Sequence, residues 1–288
     1  MEDTQLFLYL YMYELETWLN CHKTDLTEIS FQSDEANTDR PLKEYIKKII
    51  ETKCNGITAF SNVEFIEIDG CVYKVNDELR STVIEKVLLP DELTDEIKKM
   101  LHSRKRSVFT NPDLCFKIIT NGQVVYETIE LKSTKKDAIP GSSIQQIMPD
   151  EWTIFVKHNG QNAEVAVGKY FNAINTRMQF PDRSPRPQVS FSEMKLWNNI
   201  NRKIINDTVS YNYAEDRNLK HRLLTDWQNV LAEEWVNVLL RSDNIKQKNT
   251  PWFYNNLRKF ILLFLSEYDE MSQFEKDKFK KDVADLIE

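Results

Sequence analysis

The stretch NPDLCFKIITNGQVVYETIELK, residues 111–132, decides the fold at the centre of this chain. Its middle holds Asn121-Gly122, the dipeptide most typical of a two-residue type I′ turn between antiparallel strands. Apolar residues alternate with polar ones on both sides of this dipeptide, which is the period of a half-buried β-strand. The stretch therefore predicts a β-hairpin that turns at Asn121 and Gly122.

This turn fixes which residues of the hairpin face each other. With Thr120 opposite Gln123, the numbers of paired residues sum to 243, so Asp113 lies opposite Glu130. Directly opposite side chains share a face with their Cβ atoms about 4.5–5.5 Å apart, and Lys132 points to that same face. The other face should lie against the core. It collects Leu114, Phe116, Ile118, Val125, Ile129 and Leu131.

The paired acids indicate a metal site. Two adjacent carboxylates repel each other and favour a cation between them, and Mg²⁺ above all prefers such hard oxygen ligands. A divalent ion polarises a phosphate oxygen and lowers the pKa of a bound water, while a lysine orients or deprotonates the attacking water. We therefore expect Asp113 and Glu130 to bind Mg²⁺, and both to act with Lys132 in hydrolysis of a phosphodiester.

Pro112-Asp113 followed by Glu130-Leu131-Lys132 resembles the PD-(D/E)xK motif of the restriction-endonuclease-like nuclease superfamily. An aspartate at the start of one strand and acid-x-lysine at the end of its neighbour match that family's arrangement. The resemblance covers the central third of the chain. It implies a mixed sheet flanked by helices, Mg²⁺-dependent cleavage of DNA, and often a further glutamate from an upstream helix. Glu44 and Glu85 are both candidates for that glutamate.

The chain offers other combinations of the same short motif, because Pro-Asp and acid-x-Lys each occur four times. Asp91 lies in sequence with helical periodicity, and prolines interrupt the segment that follows Asp182. The acid-x-Lys triplet that follows Asp150 is more than forty residues away. The combination of Asp113 with Glu130 and Lys132 is the one that lies on two strands in matching register.

Two segments are candidates for contact with DNA. The basic segment KSTKKDAIPGSS follows the catalytic strand, so Lys135 and Lys136 should lie near phosphates. The loop 175–191 combines prolines, which reduce the entropy lost on ordering, with arginine and glutamine, which read guanine and adenine. Its candidate contacts are Arg177, Arg183, Arg186 and Gln188. The alternative is an exposed loop whose arginines pair with acids.

The composition is that of an ordinary globular protein, with 41% hydrophobic residues and a net charge of −7. This charge is compatible with DNA binding if the basic groups are concentrated in a cleft. The apolar runs fall far short of the ~20 residues that span a bilayer, and the N-terminus does not resemble a signal peptide. The four cysteines include no C-x-x-C pair. We therefore expect a cytoplasmic protein with reduced thiols and no zinc site.

Hydrophobic periodicity divides the chain into three regions, which we expect to form one compact domain. Residues 1–106 are predicted to be mainly helical (5–20, 42–52 and 79–101), with a hairpin at Asp69-Gly70. Residues 107–191 form the strand-rich catalytic core, with a short helix near 142–148. Residues 192–288 are predicted to be helical, beginning with a helix over 192–205. The predicted fold class is mixed α/β, a central mixed sheet with the catalytic hairpin flanked by helices.

These observations together predict a type II restriction endonuclease that cuts double-stranded DNA at a short site. Because one chain shows one such site and a duplex has two strands to cut, we expect a homodimer. One alternative is another nuclease of the same superfamily, such as a repair, resolvase or recombination nuclease. A second alternative is a non-catalytic DNA-binding or interaction protein that retains the hairpin.

Overall fold

The computed structural model describes residues 1–27, 29, 40–104, 111–159, 161–175, 186–240 and 252–287. The protein is mixed α/β, as the sequence predicts. The chain divides into two compact units, Met1–Trp227 and Gln228–Glu288. The boundary between these units lies inside the region 192–288 that the sequence predicts as a single C-terminal helical region.

The strands form one large mixed sheet and two smaller sheets. In chain order they are β1 Phe65–Ile68, β2 Cys71–Lys74, β3 Val83–Leu88, β4 Leu114–Thr120, β5 Gln123–Thr134, β6 Ala138–Pro140, β7 Trp152–His158, β8 Ala163–Lys169, β9 Gln188–Ser190, β10 Arg202–Ile205 and β11 Thr208–Tyr211. The large sheet has the order β3-β4-β5-β7-β8, with β5 and β7 parallel and the other neighbours antiparallel. A second sheet has the order β10-β11-β1-β2, and β6 pairs with β9.

The helices lie before, between and after these strands. They are α1 Asp3–Cys21, α2 Lys23–Thr27, α3 Arg40–Lys53, α4 Asp77–Ser81, α5 Asp95–Arg104, α6 Tyr170–Ala173, α7 Phe191–Asn201, α8 Ala214–Asp216, α9 Arg222–Thr225, α10 Trp227–Leu240, α11 Trp252–Glu270 and α12 Gln273–Ile287. Short 3₁₀ turns occupy Pro90–Glu92 and Ile144–Gln146, and a π-helical turn occupies Arg217–His221. No helix in the described ranges has the length and apolar character required to cross a bilayer.

The predicted central hairpin is confirmed as β4 and β5. Asn121 and Gly122 have φ values of 50° and 72°, and these positive values are what a type I′ turn requires. The strands pair from Thr120 with Gln123 down to Leu114 with Ile129, the register expected from the turn. The predicted apolar face is buried, with Leu114 and Ile129 both 0% exposed, except at Val125 near the turn, which is only partly buried.

Helix α1 lies at the centre of the first unit and is buried on nearly every side. Its apolar residues are not confined to one stripe, which is typical of a helix surrounded by other elements. It contacts β4 and β8 of the large sheet and β1 of the second sheet. The Tyr11 hydroxyl donates to the carbonyl of Cys54 at 2.7 Å, and the Tyr211 hydroxyl donates to that of Tyr9 at 2.6 Å. These buried hydrogen bonds tie α1 to the residue that follows α3 and to β11 of the second sheet.

The predicted helix over 79–101 is wrong, because Val83–Leu88 forms strand β3 at the edge of the large sheet. Buried Ile84, Val87 and Leu88 follow a spacing of three and four residues, which mimics one face of a helix. A β-bulge between Ile84 and Lys86 produces this spacing, since it inserts one extra residue into a strand that otherwise alternates. Helical sequence resumes at α5.

The predicted helix over 192–205 ends early, at Asn201. Residues Arg202–Ile205 instead form β10, which turns at Asn206 (φ 55°) into β11. Strand β11 pairs in parallel with β1, about 140 residues earlier in the chain, so local periodicity could not reveal it. Likewise the short helix near 142–148 is only the 3₁₀ turn Ile144–Gln146, bracketed by Gly141 and Pro149.

Candidate active site

Asp113 lies immediately before β4, at the open end of the hairpin. Its Oδ2 accepts a hydrogen bond from the main-chain N–H of Leu131 at 2.9 Å. Its Oδ1 lies 2.8 Å from Nζ of Lys43 on α3. The Asp113 carboxylate therefore ties the start of β4 to β5 and α3 at once.

Glu130 and Lys132 lie two residues apart on β5 and face the same way, as predicted. Lys132 Nζ is 2.6 Å from Glu130 Oε1, and the two side chains are only 13% and 17% exposed. Ser142 lies between them, because its Oγ donates to Glu130 Oε1 at 3.2 Å and accepts from Lys132 Nζ at 3.3 Å. The three side chains form one closed hydrogen-bonded triangle.

The charges of this cluster decide its protonation. Burial lowers the pKa of Lys132, but the carboxylate of Glu130, with the Tyr170 hydroxyl and Asp113, outweighs burial and raises the pKa above its ordinary 10.5. Burial raises the pKa of Tyr170 to about 12. At neutral pH the cluster therefore holds a protonated lysine beside a neutral phenol.

The backbone at Gly141 allows Ser142 to reach the two charged residues. The Ser142 N–H donates to the Tyr170 hydroxyl at 3.3 Å, and the Gly141 N–H donates to the carbonyl of Pro187 at 2.8 Å. A Cβ on Gly141 would lie 2.5 Å from that carbonyl oxygen and 2.7 Å from the Tyr170 hydroxyl. Glycine is required there because no larger residue permits this approach.

A small cavity of about 20 Å³ opens beside the triangle, which is room for about one water molecule. Its walls include Asn111, Pro112, Glu130, Ser142, Gln146, Ile147, Glu151 and Tyr170. The cavity borders the Glu130 carboxylate and the residue before Asp113, so an ion or a water could lie at this end of the hairpin.

The donor set fits magnesium better than a transition metal. In the described parts of the chain, no group of three or more His, Cys, Asp or Glu side chains gathers as a ready-made cage. Mg²⁺ is commonly held by one or two carboxylates together with waters and substrate phosphates. Asp113 and Glu130 would supply two such carboxylates, whereas zinc sites use three or four protein ligands rich in His and Cys.

Neither candidate for an additional upstream glutamate contacts the described cluster. Glu44 is exposed and pairs with Arg40, and Glu85 on β3 pairs with Lys117. The residue of α3 that reaches Asp113 is Lys43. Sequence reasoning missed Lys43, because nothing in the local pattern of α3 separates it from Lys47 and Lys48. It also missed Tyr170. For Ser142 there was a signal, namely the hydroxyl-rich composition of the segment after Lys132.

The candidate DNA contacts are spread over two places. Lys135 and Lys136 are exposed just beyond the end of β5. Arg186 is exposed, whereas the Gln188 side chain accepts a hydrogen bond from the Asn175 amide and its carbonyl accepts from the Asn175 N–H. Gln188 thus joins the two described ends of the predicted loop. Arg177 and Arg183 lie outside the described residues.

Lys135 borders an open basic cavity of about 570 Å³ at the end of the large sheet. Lys23 from α2 and Lys157 from β7 line it as well, together with Asn20, His158, Asn159, Asn162, Ala163 and Glu164. Two of the lining residues are paired outside the cavity, Glu164 with Lys195 and Lys157 with Asp137. We call the group Lys23, Lys135 and Lys157 the basic cavity lysines.

No family model, curated protein or solved structure matches this chain. The cluster is therefore interpreted from its own chemistry. Asp113 with Lys43 and Glu130 with Lys132 form two ion pairs at the open end of the hairpin, and a basic cavity lies beyond the end of β5. This combination suits a phosphate ester better than a neutral ligand.

Proposed function

We propose that this protein is a Mg²⁺-dependent endonuclease that hydrolyses phosphodiester bonds of double-stranded DNA, as a type II restriction endonuclease does. The observation that carries the proposal is the register of the hairpin, which brings Asp113 and Glu130 to the same end of β4 and β5. Lys132 completes the set by direct contact with Glu130. A mixed sheet flanked by helices agrees with the fold that the PD-(D/E)xK resemblance implies.

Each residue has a definite role in this proposal. Asp113 and Glu130 would hold the metal, which when bound supplies a Lewis acid for the phosphate and a more acidic water. Lys132 donates hydrogen bonds that orient the attacking water and offset the negative charge that develops on the phosphate. Ser142 keeps Lys132 and Glu130 at a fixed separation, so that the lysine is in place before DNA arrives.

The basic cavity lysines would contact the phosphates of the duplex on one side of the scissile bond. Lys135 follows Lys132 by three residues and lies one residue beyond the end of β5, a chain distance of about 10 Å at ~3.3 Å per residue. A DNA strand carries one phosphate per ~3.4 Å of helix axis. The cavity would therefore meet phosphates about three nucleotides from the scissile bond. Such contacts hold the duplex in place without selecting a sequence.

Cutting both strands of a duplex requires two sites, and each chain contributes one Asp113–Glu130–Lys132 cluster, so we propose a homodimer. The unit Gln228–Glu288 supports this with large exposed apolar side chains of the kind found at protein interfaces. Among them are Phe260, Leu262, Leu263 and Phe274, which are 61% to 78% exposed.

Incubation of plasmid DNA with the protein and Mg²⁺ tests the proposal. Discrete linear fragments are expected, and Glu130→Gln or Lys132→Met should reduce the cleavage rate at least about a hundredfold. The matched controls are Glu85→Gln and Lys117→Met, which break the neighbouring ion pair of β3 and β4 and should cut at the wild-type rate.

The same assay separates the competing functions. Nicking confined to junctions, flaps or damaged DNA would replace restriction with a repair, resolution or recombination activity. DNA binding without cleavage under any divalent ion would leave a non-catalytic DNA-binding protein. Cleavage at the wild-type rate by Lys132→Met would remove the proposed site itself.

A further inference from the structure

Lys43 is a nearly buried cation placed against a proposed metal ligand. It lies in the first turns of α3, between Leu42 and Glu44, and is 7% exposed. Its Nζ is 2.8 Å from Asp113 Oδ1, and the two side chains are 9% and 13% exposed. An ion pair this sheltered from water is screened far less than one at the surface.

Of the two carboxylate oxygens of Asp113, Oδ1 is the one without a main-chain hydrogen bond, so it is the oxygen that a metal ion would approach. Oδ2 accepts the N–H of Leu131, so a metal that binds through Oδ1 meets the Lys43 ammonium on the same atom, and the two cations repel each other. Glu130 has its own cation in Lys132. The Asp113–Lys43 and Glu130–Lys132 pairs are therefore each neutral before a metal binds, so that neither carboxylate offers a metal an uncompensated negative charge.

A divalent ion added to these neutral pairs would bring two positive charges next to Lys43 and Lys132 in a poorly hydrated place, which is unfavourable. Displacing Lys43 from Asp113 without a new acceptor is also unfavourable, since an unpaired buried ammonium lowers the stability of the folded protein. The phosphates of DNA supply the missing negative charge. They offer both a further ligand for the ion and a new acceptor for the displaced lysine.

We infer that Lys43 is a built-in counter-ion that holds Asp113 in the metal-free protein and turns to a DNA phosphate when metal binds, so that metal and DNA bind cooperatively. This inference rests on the proposed function, because it takes Asp113 and Glu130 as metal ligands. It adds a positioning residue from outside the hairpin and a reason for metal to bind weakly without substrate.

Binding of Mn²⁺ to the full-length protein, measured by electron paramagnetic resonance, tests the inference without relying on activity. Lys43→Met is expected to bind Mn²⁺ at least tenfold more tightly than wild type when DNA is absent. Lys47→Met is the matched control, because Lys47 lies one turn further along α3 and pairs with Glu92. That variant should bind Mn²⁺ like wild type, and Glu130→Gln should bind it most weakly.

A second measurement tests the coupling to DNA. Sheared DNA protected by phosphorothioate linkages should tighten Mn²⁺ binding to the wild type at least tenfold, and should tighten binding to Lys43→Met much less. Equal tightening in both proteins, or equal Mn²⁺ affinity without DNA, would overturn the inference while leaving the metal site in place. Failure of every variant to bind Mn²⁺, with or without DNA, would instead overturn the proposed function and the inference with it.

Folding of the variant is checked in the same samples. Removal of Lys43 leaves Asp113 as a buried charge, so the near-ultraviolet circular dichroism of Lys43→Met is recorded with and without Mn²⁺. If the variant is unfolded alone, Mn²⁺ should restore the wild-type spectrum. The double variant Lys43→Met with Asp113→Asn should fold without metal and bind it weakly. A Lys43→Met protein that Mn²⁺ cannot refold, beside a folded double variant, would refute the role of Lys43.

Discussion

Replacement of Lys169 by methionine should stabilise the protein at neutral pH. Lys169 ends β8 and is 4% exposed. Its Nζ lies 4.1 Å from the centre of the Trp152 ring and 5.3 Å from that of Tyr9. Burial lowers the pKa of Lys169 from 10.5 to about 7. Folding therefore disfavours the charged form, and methionine fills a similar volume without a charge.

The size of the effect follows from this pKa. A fall from 10.5 to about 7 corresponds to a cost of roughly 5 kcal/mol for folding with the lysine charged. Contact of the charged lysine with the two aromatic rings stabilises the folded state by about 2 kcal/mol, and methionine cannot make this contact. We therefore expect Lys169→Met to raise the free energy of unfolding by about 1–3 kcal/mol at pH 7, in line with other replacements of buried charges.

The pH dependence has a definite sign. Between pH 7 and about 10 the unfolded chain binds a proton on Lys169 that the folded protein has released, so this residue makes stability rise with pH. Below pH 7 both states are protonated and the cost is fully present. The advantage of Lys169→Met should therefore be greatest at pH 7 or below and should shrink towards pH 10.

Urea unfolding of both proteins at several pH values between 6 and 10 measures this difference. Lys195→Met is the control, because Lys195 is an exposed lysine on α7 and its removal should not change the pH dependence. A Lys169→Met protein that is less stable than wild type at pH 7, or whose advantage does not shrink as pH rises, would refute the reasoning.

Three further outcomes are expected. Gly141→Ala should shift Ser142 away from Glu130, lower the free energy of unfolding by about 1–3 kcal/mol and slow DNA cleavage. Gly70→Ala is the control, because it lies at a turn with nothing within 4 Å of the added Cβ, and it should leave the cleavage rate unchanged. Gly122→Val should destabilise the hairpin by about 1–2 kcal/mol in thermal unfolding, because a β-branched residue disfavours a φ of 72°. Substitution of the basic cavity lysines by alanine should weaken DNA binding and reduce the slope of log affinity against log salt by up to about 3; an unchanged slope would remove the proposed path of the duplex.

The hairpin could be predicted because its determinants are local. The Asn121-Gly122 turn fixes the register, and the register fixes the neighbours of Glu130, so a short stretch of sequence contains the geometry. The apolar runs WTIFVKH and AEVAVGKYF predict strands in the same way. The structure has β7 Trp152–His158 and β8 Ala163–Lys169, whereas Tyr170 and Phe171 at the end of the second run belong to α6. Such elements need no information from distant parts of the chain.

Other features depend on contacts that no local pattern records. Lys43 contacts Asp113, which lies 70 residues later in the sequence, and β11 pairs with β1 across a still larger sequence separation. The bulge in β3 gives a strand the spacing of a helix. These contacts determine which lysine neutralises which carboxylate, so the partners of the candidate site could be identified only from the tertiary structure.

The pKa values of two buried lysines on opposite faces of the large sheet are shifted in opposite directions. Lys132 shares its face with Glu130, and its pKa is raised because the carboxylate outweighs burial. Lys169 lies on the other face, aligned through Trp152 with Ile129, and there burial prevails and the pKa falls. The difference is the direct ion pair with Glu130, since the carboxylates of Asp150, Glu127 and Glu151 that act on Lys169 do not outweigh burial. Glu130 is therefore required twice in the proposed enzyme, as a ligand for the metal and as the group that keeps Lys132 charged when no metal is bound.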